Sequence, residues 1–480
     1  MKTLLPLLLP LVLLAACKTE PTAYSGQYPD EVGAILTKKC ATAGCHNDKS
    51  FTNAAGLRLD NWNELFKGSA NGSAVIPYST GNSSLLYFIN TDSQLGPVLE
   101  PLMPLNGGAL SKTEYNIIRN WIAAGAPDKL GNVPFASDPD KRQKVYLSQQ
   151  GCDLVGVIDA ASGLVMRYIK VGMSVGIEVP HCVRFSPDGR YAYVSFTLGQ
   201  YLQRIDARSD ALAGSVYLGK GAWNIFQVSP DGKRMLISDM SPKNATIKYL
   251  DLEQMKVLAT FYDFENPHGI AATRNFDTFF VTSQYGSSIY QVFSNGLYER
   301  FSLDDKEPNF DPHTYDPHEI IMSPDYSKFF LSCQSSNEVR VMDPNTRKLI
   351  KVIPVGNFPQ EFAISHVKPY LFVSCQEEVT AEYPGYKGAI YVINYETLEI
   401  VKRIPGPFYQ VHGLTVDDRT GLLYVASRNV VPDGPAPHHT SECGGRNGYY
   451  NIYDINTFQS YNGRRYESTV DPYSADIRFK

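Results

Sequence analysis

No phosphate-cradling glycine loop, no nucleotide fingerprint and no recognisable nucleophile–base pair occurs in the 480 residues. Nucleotide-dependent chemistry and triad-type hydrolysis therefore have no footing in the chain. Neither sign of charge dominates. The 44 basic and 49 acidic residues leave a net charge of −5, spread along the length, which offers nucleic acid no basic surface. Long hydrophobic runs are missing too. The apolar stretch Leu4–Ala16 is thirteen residues long and is broken by Pro6 and Pro10, whereas a helix crossing a bilayer needs about 20 residues. Tryptophan is scarce at three residues, while tyrosine reaches 31 and glycine 37. That balance favours short strands joined by turns. With 43% hydrophobic and 19% charged residues the chain is of folded, globular composition, and its length predicts more than one domain.

The first residues read as an address. Lys2 precedes the apolar run, which ends Leu13-Leu14-Ala15-Ala16-Cys17. This resembles the lipobox of bacterial lipoproteins, and the resemblance implies cleavage after residue 16 and lipid on Cys17. It places the protein in the cell envelope, held to a membrane by that lipid. An ordinary cleaved signal with an incidental cysteine is the alternative. Residues 17–29 then form a polar tether. Of the eight cysteines, Cys152, Cys182, Cys333, Cys375 and Cys443 remain after Cys17, Cys40 and Cys45 are assigned. Five is odd, so at least one is unpaired, and spacing alone gives no pairing.

The segment Lys39-Cys40-Ala41-Thr42-Ala43-Gly44-Cys45-His46 carries the sharpest chemistry. Covalent c-type haem needs two thiols and a histidine directly after the second. Two residues usually separate the thiols, and here there are four. Taken alone, the pair also suits a disulfide or a metal knuckle. Its surroundings favour haem. Asp30–Leu36 has apolar residues at helical spacing, and Ser111-Lys112-Thr113-Glu114 is a capping box. That box opens a helix with Tyr115, Ile117, Ile118, Trp121 and Ile122 on one face. Met103 stands alone in a loop before this helix, in a position suited to the second axial site of the iron.

Five separated elements then agree with one family. Gly44-Cys45-His46, Ala55-Gly56-Leu57-Arg58-Leu59, Ser83-Ser84-Leu85-Leu86, Met103-Pro104 and Trp121–Pro127 resemble, in order, the planctomycete-type cytochrome c domain. The resemblance covers residues 30–127. It implies haem c on Cys40 and Cys45, with His46 and Met103 as axial ligands. The four-residue spacing departs from the usual pattern.

After a linker over 128–137, strand-like segments continue to the end. A turn followed by an aromatic and β-branched strand ending in serine recurs at Ser148, Ser195, Ser238, Ser283, Ser332, Ser374 and Ser427, at intervals of 42 to 53 residues. Seven such anchors predict a seven-bladed β-propeller over 138–480. The pattern looks like the YVTN-type propellers, which share their shape with the propeller of nitrous-oxide reductase. The fold class expected is therefore a small all-α cytochrome c domain followed by an all-β propeller.

His181, His268, His318 and His412 each precede the inner strand of a blade, so they should converge at one mouth of the channel and could hold a metal or second cofactor there. Hydrogen bonding between blades is the alternative role. His313 lies close by in sequence. His438 and His439 occupy an insertion, Pro432–Gly448, that could fold over the same mouth. No copper-binding domain follows, so nitrous-oxide reduction is not carried over. The reading that combines these elements is a membrane-anchored monohaem electron carrier serving a redox partner protein. An oxidoreductase with a second site in the channel, and a surface binding module, are the competing classes. Nitrite reductases that join a cytochrome c domain to a propeller are the nearest analogy to the enzyme, but they use eight blades.

Overall fold

The structure, a computed structural model, describes residues 26–480 except 244, 305 and 312. The signal segment and Cys17 lie outside the described residues. From Lys144 on, short apolar strands alternate with turns. In Ser186-Pro187-Asp188-Gly189, Gly189 takes φ +67, the left-handed conformation that costs glycine least. The equivalent turn at Ser323 puts Tyr326 in the same region at φ +63, with Arg274 lying over its ring at 4.8 Å.

The strands assemble into seven four-stranded antiparallel sheets, a seven-bladed propeller. Six blades are continuous in sequence. Their innermost strands are Pro180–Phe185, Trp223–Val228, Pro267–Ala272, Pro317–Met322, Pro359–Ile364 and Val411–Asp417. The seventh blade is composite. Its innermost strand, Pro472–Ile477, comes from the C-terminus and pairs with Lys144–Gln149, with Val145 opposite Ile477. Both ends of the propeller thus share one sheet, and the ring has no open edge.

The innermost strands share a bulge. In each of the six continuous blades the register with the second strand shifts between the first and fourth residues. Backbone groups there cannot complete the ladder, and a hydroxyl on the second strand substitutes. Ser195, Thr282, Ser332 and Ser374 accept from the third residue of their own innermost strand. The hydroxyls also latch onto the next blade. Ser148 donates to His181 O at 3.3 Å, Ser238 to His268 O at 2.8 Å, Thr282 to His318 O at 2.9 Å and Ser332 to Gln360 O at 2.6 Å. The recurring serine of the sequence is therefore the inter-blade fastener. Two anchors need correction by one residue. The strands Thr278–Ser283 and Leu422–Ser427 put Thr282, not Ser283, and Ala426, not Ser427, in this position. Ala426 has no hydroxyl to donate.

Ahead of the propeller, four short helices, α1 (Asp30–Ile35), α2 (Trp62–Leu65), α3 (Ser84–Ile89) and α4 (Lys112–Ala123), are joined by irregular chain. They enclose one apolar core that includes Val32, Leu36, Trp62, Leu86, Ile118 and Ile122. The capping box at Ser111 and Glu114 forms as expected, and Tyr115, Ile118, Trp121 and Ile122 are buried. This helical unit leans on the outer strands of two neighbouring blades. Ser73 donates to Val165 O at 2.8 Å, Glu467 N–H to Asn71 O at 3.0 Å, and Arg167 lies over Tyr78. No helix among the described residues is long and apolar enough to cross a membrane.

Candidate functional site

The second residue of each innermost strand occupies an equivalent place in the ring. Going round the ring these are His181, Asn224, His268, His318, Gln360, His412 and Tyr473. In six blades the residue before the strand is non-glycine with positive φ: Val179, Asn266, Asp316, Phe358, Gln410 and Asp471 lie between +47 and +60. Five of these precede proline, where left-handed backbone is disfavoured. Such local strain is tolerated where the surrounding sheet dictates it, and here it stands two residues ahead of the ring position in each of these blades.

The rings meet. Centroid separations are 6.1 Å for His181–His268, 4.2 Å for His268–His318, 5.9 Å for His318–His412, 3.8 Å for His412–Tyr473 and 4.5 Å for His181–Tyr473. All five are buried. Burial holds every one of the four imidazoles below its ordinary range, His268 down to about 4, and Arg428 pushes His181 and His412 further the same way. The ring is therefore neutral at pH 7.

Hydrogen bonds assign its protons. The Gln150 amide, its oxygen facing Arg428, donates to His181 Nδ1 at 2.9 Å, so the His181 proton sits on Nε2. Nδ1 of His268 donates to His318 O and Nδ1 of His412 to Tyr473 O, both at 3.2 Å, which leaves Nε2 of each as an acceptor. His181 Nε2, His412 Nε2 and His318 Nδ1 are buried without a hydrogen bond to the protein. The four predicted histidines thus converge on one mouth of the propeller. Among the described residues the one group of three ligand atoms lying within 4.8 Å of each other is His438, His439 and Glu467.

Next to the ring lie Glu319 and Glu361, both buried, with Arg184 3.6 Å from Glu361. Burial and the neighbouring Glu361 push Glu319 up to about 8, and burial raises Glu361 against the opposing pull of Arg184. At pH 7 Glu319 keeps its proton. A cavity of ≈ 420 Å³ begins at Arg184, Glu319 and Glu361 and runs to the far mouth at Pro187, Pro230 and Pro324. His366, left out of the ring on sequence grounds, lines that far end. His313 is in an exposed loop.

In the helical unit, α1 continues into a π-helical turn, Leu36–Cys40, that buries Cys40 in the core. The chain then closes a loop by His46 N–H to Cys40 O at 3.2 Å. Cys40 and Cys45 are free thiols. His46 Nδ1 is held by Leu57 O at 3.1 Å, which leaves Nε2 to bind. Met103 packs against the same core as Cys40, and its N–H donates to Phe88 O at 2.7 Å. Lys39 pairs with Glu114 at 2.7 Å and ties this segment to the cap of α4, holding the Glu114 carboxyl down to about 2. Cys40 and Met103 share one core and Cys45 and His46 follow in the loop that leaves it, so two free thiols, an oriented imidazole and a thioether, the donor types a covalent haem needs, are all present in this unit.

Sequence reading overlooked Asn224, Gln360 and Tyr473 in the ring and the acid pair beneath it. Phe358-Pro359-Gln360 and Asp471-Pro472-Tyr473 repeat the residue–proline–ring pattern of the histidine blades, and that signal would have found two of them. Of the leftover cysteines, Cys152 and Cys443 form a disulfide with Cα atoms 5.4 Å apart, and Cys182, Cys333 and Cys375 are free and buried. The disulfide ties the 432–448 insertion to the turn that carries Gln150. The insertion then reaches toward α3, where Phe88 meets His438 at 5.1 Å between ring centroids.

No family model matches the sequence, and no curated protein is detectably similar to it. Solved structures are. Hydrazine synthase of Kuenenia stuttgartiensis is 15% identical with a TM-score of 0.49, over 63% of this chain and 92% of that one. A functionally unknown protein from Desulfotomaculum acetoxidans is 11% identical with a TM-score of 0.53, over 70% of this chain and 98% of that one, a likeness of fold alone.

Proposed function

We propose that the chain is an envelope cytochrome that exchanges electrons with a redox partner protein. In this reading the helical unit holds one haem c through Cys40 and Cys45, with His46 and Met103 as axial ligands, and lipid on Cys17 holds the protein to a membrane. When bound, such a haem supplies one-electron chemistry. The observation that carries the reading is the Leu57 carbonyl on His46 Nδ1 beside two free thiols. A main-chain acceptor on Nδ1 fixes the ring and makes Nε2 the better donor to a metal. Cys40 is anchored by the core, and the Lys39–Glu114 pair keeps the loop registered on α4. The test is a visible spectrum and iron content on protein matured in a host that attaches c-type haem. One iron per chain with a c-type spectrum, lost in Cys45→Ala, is expected. Protein with no covalent haem would overturn the reading.

The channel favours a second reading, an oxidoreductase that takes a small polar molecule or second cofactor there. Its support is the mixed lining: one donor at His181 Nε2, acceptors at His268 and His412, and a protonated Glu319 at the cavity. A partner-docking propeller needs none of these buried groups. Changing His268 and His412 together would abolish turnover with a redox substrate under this reading and leave electron exchange untouched under the first.

A further inference from the structure

The insertion at 432–448 does not hang free. Asn429 Nδ2 donates to Pro435 O and Asn447 O, Arg446 reaches Pro435 O at 2.8 Å, and the Cys152–Cys443 disulfide closes its far side. Glu467 accepts three hydrogen bonds from it: His438 N–H at 2.8 Å, His439 N–H at 3.1 Å and Asn447 Nδ2 at 3.1 Å. These bonds bring two imidazoles and a carboxylate together. Their ligand atoms lie within 4.8 Å of one another, and His439 Nδ1 is buried 3.3 Å from Glu467 Oε1 without a hydrogen bond. On the other side stand Tyr87 and Phe88 of α3, against His439 and His438.

We propose that His438, His439 and Glu467 bind one divalent transition-metal ion at the seam between the helical unit and the propeller. Two imidazoles and one carboxylate suit a borderline first-row dication and give calcium or magnesium, which want oxygen ligands, little. His438 is exposed while His439 and Glu467 are partly covered, so the coordination sphere has an open side toward solvent. Three protein ligands with an open position are the arrangement of reactive metal sites rather than closed structural ones. The ion sits outside the channel and does not depend on the haem reading.

The backbone geometry makes the test clean. The bonds that shape the insertion use the main-chain N–H groups of His438 and His439, so alanine at either position removes a ligand and keeps the loop's fastening. Zinc(II) titrated into metal-stripped protein, followed by calorimetry, should bind at one equivalent. His438→Ala and His439→Ala should each weaken that binding roughly tenfold or more, while the metal-free variants keep cooperative unfolding. Glu467→Gln keeps one of the two oxygens that accept from the loop and should weaken binding likewise. No binding by the parent protein, wild-type affinity in both histidine variants, or loss of the equivalent only on changing His268 and His412, would each overturn the proposal.

Discussion

His181 carries its proton on Nε2 and His412 carries its own on Nδ1, so two imidazoles at one mouth present opposite groups to the same space. Their neutrality has a pH signature. His268 is held down to about 4 against an ordinary 6.5, so between these values the unfolded chain binds more protons than the folded one. Its contribution to stability is intact above pH 6.5 and is lost as pH falls toward 4. Glu319 runs the other way. Raised to about 8 from 4.5, it binds more protons in the folded state, and stability drains away as pH rises through that window. Glu319→Gln should therefore gain on the parent in melting temperature by about 2 °C or more between pH 5 and pH 9, and a difference that stays constant across that range would count against a protonated Glu319. Met103→His should lower the midpoint potential of the haem, since a thioether ligand raises it relative to imidazole; an unchanged potential would show that Met103 is not an axial ligand.

The bulge and its hydroxyl latch are properties of elements. Ser238 joins two blades at the carbonyl of a ring histidine. Ser238→Ala would strand that buried acceptor and destabilise the protein by about 1–3 kcal/mol, measurable by urea unfolding. A loss under half a kilocalorie would demote the latch to a bystander. The repeat was legible because this serine recurs, and the blade count followed from it. The register was not legible in two blades, because Thr282 and Ala426 occupy the latch and a serine stands one residue later in each. A threonine hydroxyl does the same work, and the pairing ladder alone reveals it. The ring was half legible for a similar reason. Four members are histidine, while Gln360, Tyr473 and Asn224 share their backbone position without sharing their chemistry. The acid pair was hidden because Glu319 and Glu361 each follow a ring residue on a bulge, where strand alternation no longer says which side chains point inward. The insertion's target was equally silent, since a disulfide spanning 291 residues leaves no local trace.

At the scale of the whole molecule, the composite blade decides whether the propeller closes. Deleting residues 472–480 would leave a three-stranded sheet with an exposed edge and remove Tyr473 from the ring. The truncated chain should aggregate or unfold well below the parent temperature, as scattering and a thermal melt would show. Retained cooperative melting would mean that six blades suffice. Closure by the last strand also sets an order in time. During synthesis the Cys40–His46 loop and its supporting helices emerge early and need only neighbours within the first 127 residues or so. The channel mouth waits for the final nine residues, because Tyr473 is the wedge between His181 and His412. A chain interrupted between about residue 127 and that strand would carry the thiol loop but no finished channel, so the two sites are born at opposite ends of the chain's history.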